Sequence, residues 1–163
     1  MTKNIFITSI IYFLLIVNVF SAGSDGDGGG ESKVKSNYEM AVSHIKFAKK
    51  LEKKGKLDKA KKRFEKAQKL LIKSNNKKPN NADTLNYLGF TTRKLGDFEN
   101  GEKYYLQGLA INPNHKGINE YLGELYVATK RHNLAIERLE ILKSCNCKEY
   151  KQLKAVIAGE PSK

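Results

Sequence analysis

Few residues of this chain are equipped for covalent or metal chemistry. It has three histidines, His44, His115 and His132, and two cysteines, Cys145 and Cys147. The histidines fall in separate elements, and none has an acid at a motif spacing. G-x-S-x-G, H-E-x-x-H and the phosphate-binding G-x-x-x-x-G-K are all missing. Each histidine has a plain reading: His44 packs, His115 sits in a turn and His132 starts a helix. Function must be argued from a site, and with none visible no catalysis, cofactor or metal is expected.

The cysteines form a Cys145-Asn146-Cys147 pair. An even count in an exported protein suggests a disulfide. Closing so short a loop removes little chain entropy, less than the ~3 kcal/mol of a 15-residue loop. Its role would be local, stiffening a turn. Free thiols, or a redox or metal function, are the alternatives, although two thiolates do not complete a tetrahedral zinc site.

Charge is the other chemical resource. From Lys33 to Lys78 there are 17 Lys or Arg against 4 acids, so this stretch alone matches the whole chain's net +13. Arg63 is its only arginine. Lysine is a hydrated point charge, less suited than arginine to planar recognition of phosphate or bases. No aromatic interleaving or nucleic-acid motif accompanies it, so no nucleic-acid partner is expected. An anionic surface or acidic partner is one reading. The plainer one is a solvated helix face held by Glu52–Lys56 and Glu65–Lys69 pairs at i, i+4.

Residues 1–21 read as a secretory signal peptide: Lys3, an apolar run from Ile5 to Phe20, then small residues at Ser21, Ala22 and Gly23. The run has 16 residues, short of the ~20 of a membrane-spanning helix. Cleavage is expected after Ser21 or one or two residues later, which places the protein in the periplasm or outside the cell. Residues 22–36 are Gly-rich and polar, a flexible linker. Residues 37–160 form the folded domain.

The elements of that domain follow from apolar periodicity. Helices are expected near 37–54, 57–75, 82–95, 98–111, 116–129, 132–143 and 148–158. Residues 81–113 are the clearest unit, two apolar helical stretches joined by Lys94-Leu95-Gly96-Asp97 and closed by Asn112-Pro113. Tyr-Leu-Gly at Tyr87 to Gly89 recurs at Tyr121 to Gly123, thirty-four residues on. This resembles the tetratricopeptide repeat, a helix–turn–helix unit of that period. The resemblance covers Ala41 to Cys147. It implies an all-α tetratricopeptide-repeat superhelix of three helix pairs plus a C-terminal capping helix.

In the first repeat, His44, Phe47-Ala48 and Leu51 stand where Leu85, Leu88-Gly89 and Thr92 stand in the second. Ala67 to Pro79 is seven residues longer than the period allows. Seven residues are about two helical turns, and Leu70, Leu71 and Ile72 suit a helix, so the second helix is expected to be the longest. Gly101 and Gly108 lie seven apart on one helix face. Each costs about 1 kcal/mol relative to alanine, so a neighbouring helix is expected against them. Thr92 replaces the family's usual tyrosine, Asn119 its usual tryptophan, and Leu142 is larger than the usual small residue. Tyr150, Leu153, Val156 and Ile157 mark the buried side of the last helix, whose polar side covers the end of the stack.

The resemblance implies a binding module that holds a peptide or partner helix on a stripe of each first helix. By repeat register that stripe carries Ile45, Lys49 and Glu52, then Asn86, Phe90 and Arg93, then Glu120, Glu124 and Val127, flanked by Tyr87 and Tyr121. Family members that grip a terminal carboxylate use a Lys-Asn-Asn-Lys-Arg set. The matching positions here are Ile45, Lys49, Tyr87, Gly117 and Tyr121, and none has the required residue, so no carboxylate clamp is expected. The mixed surface suits an amphipathic segment with charge of both signs. The second reading is a self-associating subunit of a cell-envelope assembly, docking through the Lys-rich first repeat.

Overall fold

The computed structural model describes residues 35–160. The expected leader at 1–21, and the expected linker apart from Lys35 and Ser36, lie outside the described residues. Seven α-helices follow one another: α1 (Asn37–Lys53), α2 (Leu57–Lys77), α3 (Ala82–Lys94), α4 (Phe98–Ile111), α5 (Lys116–Ala128), α6 (His132–Leu142) and α7 (Lys148–Ile157). A 3₁₀ turn over Lys143–Cys145 tightens the end of α6. No strand occurs among the described residues.

Local chemistry sets the helix starts. Ser36 Oγ accepts from the Glu39 N–H at 3.2 Å, and Glu39 reaches back to the Ser36 N–H at 2.8 Å. This is a reciprocal capping box. Asn81 caps α3 through Thr84 N–H at 2.8 Å, and Asp97 caps α4 through Asn100 N–H at 3.0 Å. Each such cap is worth about 1 kcal/mol. Turns within the pairs need a left-handed residue: Gly55 (φ +68°), Gly96 (φ +97°) and, in the third repeat, Lys130 (φ +61°).

The two-turn insertion is helical. α2 has 21 residues, the longest described helix, and runs unbroken through Leu70 to Lys73. It continues to Lys77, two residues past the expected end at Asn75. The chain leaves it at Lys78, which is extended (φ −138°, ψ 84°) because a residue before proline is pushed out of the helical region.

α1 packs on α2, α3 on α4 and α5 on α6, while α2–α3 and α4–α5 contacts join the pairs. Phe64, Leu71, Leu85, Leu88 and Phe90 form one core layer. Tyr105, Ile118, Leu122, Leu125 and Ala135 form the next. Burying one such large side chain contributes about 1.5–3 kcal/mol. Glycines mark the closest approaches. A Cβ on Gly101 would lie 3.2 Å from the Gly89 carbonyl oxygen and 3.3 Å from Arg93 N. A Cβ on Gly108 would run into the Ile118 Cδ1 methyl. α7 covers α5 and α6, and Leu153, fully buried, sits where a Gly123 side chain would be, 2.5 Å from that Cβ position. Thr92 is buried and takes a hydrogen bond from Gln68 Nε2 at 2.8 Å, a polar tie to α2 in place of aromatic packing.

Candidate functional site

The first helices α1, α3 and α5 run past one another on one side of the stack, with α3 in contact with both others. Residues at i, i+4 and i+7 share a helix face, so each helix presents one stripe. Together the stripes enclose a cleft of about 290 Å³. Lys49, Glu52 and Lys53 of α1 form one wall, Phe90, Arg93 and Lys94 of α3 the floor, and Glu120, Tyr121 and Glu124 of α5 the other wall.

Six residues of the expected groove set therefore meet: Lys49, Phe90, Arg93, Glu120, Tyr121 and Glu124. Asn86 and Tyr87 do not line this cleft. Asn86 is 6% exposed, its Nδ2 lies 2.9 Å from where a Gly117 Cβ would be, and its Oδ1 has no hydrogen-bond partner. The Tyr87 ring packs on Tyr38 at 5.9 Å between centroids. Ile45 is buried in the core layer with Phe64 and Leu88, because the apolar face of α1 is wider than the stripe that the register singles out.

The Phe90 and Tyr121 rings lie 4.7 Å apart, tilted by 40°. Two cations cover them. Lys49 Nζ is 5.5 Å from the Phe90 centroid and 5.8 Å from that of Tyr121. The Arg93 guanidinium is 5.8 Å from each. Both contacts are within cation–π range. With Phe64 edge-on at 5.8 Å, this leaves Phe90 only 2% exposed. Phe90 is thus a floor residue, and Tyr121, half-buried, is the ring a ligand can reach.

Arg93 Nη2 donates to Glu124 Oε2 at 2.7 Å, with both side chains largely buried. Burial opposes the Arg93 charge, but Tyr105, Glu124 and Tyr121 outweigh it and hold the guanidinium above its ordinary value. Glu52 reaches across to Lys94 Nζ of α3 at 2.7 Å. Glu120 has no such partner. Burial, then the charges of Glu124 and Glu149, push its carboxyl up to about 8, against the weaker pull of Lys49 and Lys148. At neutral pH the cleft therefore holds a buried, protonated carboxyl beside a compensated ion pair. Burial likewise raises the Tyr121 and Tyr105 phenols.

No histidine or cysteine lines the cleft. His115 caps α5: its Nδ1 accepts from the Ile118 N–H at 3.1 Å, so Nε2 carries the proton and donates to Asp83 Oδ1 at 3.0 Å. Sequence reasoning missed this tie between α3 and α5. Its signal was the separation of 32 residues, close to one repeat, which puts both at the same level of successive helices. His44 Nδ1 accepts from Arg63 at 3.1 Å, and burial together with Arg63 and Lys66 lowers its pKa. Asn119 Nδ2 donates to the carbonyls of Pro113 and His115 at 3.0 and 3.1 Å, closing the α4–α5 turn where the family has tryptophan. The Cys145 and Cys147 sulfurs are joined, with Asn146 left-handed between them (φ +43°) and Cys147 at the N-cap of α7. Among the described residues, no group of three or more His, Cys, Asp or Glu is placed to hold a metal ion, and no helix is long and apolar enough to cross a membrane.

The sequence profile of the tetratricopeptide repeat matches residues 82–115, the α3–α4 pair with its closing turn. A TPR repeat-containing protein of Borreliella burgdorferi is 29% identical over 126 residues, covering 77% of this chain. The chain spans 50% of that relative's length. The TPR domain of Arabidopsis OM64 is a solved structure with 16% identity, covering 76% of this chain and 98% of that domain at a TM-score of 0.47. The type III secretion translocator chaperone SycD of Yersinia enterocolitica has 16% identity, 78% and 92% coverage and a TM-score of 0.48. With a profile match on the central pair and the same helix–turn–helix unit before and after it, the described residues have an all-α fold like that of tetratricopeptide-repeat proteins, and residues 82–115 match that repeat itself.

Proposed function

We propose that the protein is an exported protein–protein interaction module that holds a peptide or a partner helix in the α1–α3–α5 cleft. The observation that carries this reading is the cleft itself, to which the first helices of all three pairs contribute side chains. Its floor is an aromatic pair, its cations lie over those rings, and Glu120 is buried without an ion pair. An amphipathic segment carrying both charges fits: an apolar anchor takes the place of Lys49 over Tyr121, and its basic group, on meeting Glu120, draws the proton off that carboxyl. Aromatic anchors of this kind supply most of the affinity at small interfaces. The leader-like residues 1–21 support export, and so does a cysteine pair suited to an oxidising compartment.

Tyr121→Ala and Lys49→Glu test the site against a partner captured from cell extract. Both side chains are part-exposed, so both variants should fold and lose tenfold or more in affinity, the scale of a hot-spot residue. Wild-type affinity in both refutes the cleft as the binding site. Phe90→Ala is the wrong probe, since emptying a buried phenylalanine site costs about 3–5 kcal/mol and tests folding instead. Export is checked separately by intact mass, where retention of Met1 to Ser21 argues against cleavage.

A further inference from the structure

The cleft does not use the outer faces of α1 and α2, where the charge of the chain is concentrated. Phe47 is 48% exposed there. With Leu51 it floors a shallow depression of about 360 Å³. Lys56, Lys59, Lys62, Arg63 and Lys66 make up the whole rim, and no acid lines it. The Arg63 guanidinium lies over the Phe47 ring at 4.7 Å. The row of lysines continues along α2 through Lys69 and Lys73, both exposed. From Lys59 to Lys73 it runs about 20 Å at 1.5 Å per residue. Those last lysines lie in the two-turn insertion, so the added helix lengthens the charged row. Leu57 and Ile72 stand out on the same helix at 65% and 42% exposure.

The i, i+4 ion pairs that would tie these lysines to acids along their own helix do not form. Glu52, at i, i+4 from Lys56, is drawn across to Lys94, and Glu65 has no ion pair with Lys69. Among the described residues, no lysine of the rim or of the row has an acid within ion-pair distance. Lysine in place of arginine also matters: a hydrated point charge on a flexible stem suits a diffuse field of negative charge better than one planar carboxylate. Four to eight basic residues in a cluster with exposed apolar side chains among them have the composition of a surface that binds anionic lipid.

We propose that the α1–α2 outer face docks the protein on an anionic phospholipid surface, with the lysines facing the headgroups and Phe47 inserted between them. This surface is distinct from the cleft, so a docked molecule keeps the cleft open to a peptide.

The test is co-sedimentation of the full chain with vesicles of phosphatidylcholine alone and with about 30% phosphatidylglycerol. The readout is the ratio of the two partition coefficients, which cancels any contribution of apolar segments common to both. The wild-type ratio should be large and should fall as salt rises from ~0.1 to ~0.5 M, since exposed charges are screened. Each lysine near such a surface is worth roughly fivefold in binding. Lys59→Glu with Lys62→Glu and Lys66→Glu should therefore lower the ratio about a hundredfold or more. Lys116→Glu with Lys151→Glu and Lys154→Glu makes the same change in net charge on other exposed positions and should leave most of the ratio intact. Phe47→Ser should lower the partition coefficient on the phosphatidylglycerol vesicles itself several-fold at every salt concentration, because apolar insertion is not screened. Far-UV circular dichroism checks that each variant folds. A wild-type ratio near one overturns the proposal. So does an equal loss in the control triple, which would mean net charge alone. Binding of soluble polyglutamate by this face with vesicles ignored also overturns it, in favour of an acidic protein partner.

Discussion

Glu120 gives the sharpest test of the cleft's electrostatics. It is 5% exposed, with no ion pair among the described residues, and its pKa is raised from 4.5 to about 8. The folded state therefore binds the Glu120 proton more tightly than the unfolded chain does. For a carboxyl shifted this way, stability is fully present below the unfolded value and falls as pH rises, until the folded group ionises near 8. Each pH unit between the two values is worth about 1.4 kcal/mol, which sets a ceiling of about 5 kcal/mol between pH 4.5 and 8. Water entering the cleft reduces that, so a loss of about 2–5 kcal/mol is the expected range. Glu120→Gln copies the protonated carboxyl and cannot ionise. Urea unfolding at pH 4 and pH 8.5 should show the two proteins equally stable at the lower pH, to within about 0.5 kcal/mol. The variant should be more stable by about 2–5 kcal/mol at the higher, with the denaturant slope unchanged. Taking the difference between them removes the titration of every other group. Parallel stability–pH curves for the two proteins would mean that Glu120 is hydrated or paired in solution, and would refute the description of the cleft.

Gly101→Leu should destabilise by about 1–3 kcal/mol through overpacking, because the obstacle is α3 backbone at Gly89 and Arg93. Gly108→Ala should cost less, since only the end of Ile118 must rotate away; thermal unfolding that ranks them the other way contradicts this packing. Lys130→Gly should stabilise by about 0.5–1 kcal/mol, the cost of a left-handed lysine less the extra freedom glycine gives the unfolded chain. An unchanged midpoint in denaturant would show that Lys130 is not held left-handed.

The seven helices and the two-turn insertion were legible in the sequence because each is set by local interactions. The side-chain oxygens of Ser36, Asn81 and Asp97 cap the helices that follow them by accepting from backbone N–H groups three residues on. Gly55 and Gly96 take backbone angles that few residues tolerate, and apolar periodicity alone carries α2 through Leu70 to Lys73. The repeat period likewise put Lys49, Phe90, Arg93, Glu120, Tyr121 and Glu124 on facing stripes, and the structure brings them into one cleft. Only the tertiary structure decided how those side chains pair. Glu52 turns from Lys56 to Lys94, Arg93 takes Glu124 and His115 takes Asp83. Each choice depends on the rotation and spacing of neighbouring helices, which bring residues from different helices closer together than those one turn apart. The same rotation submerges Ile45, Asn86 and Phe90 while leaving Tyr121 in reach. The period of a helix fixes which residues share a face, whereas the depth of that face beneath long side chains from the next helix depends on packing between elements.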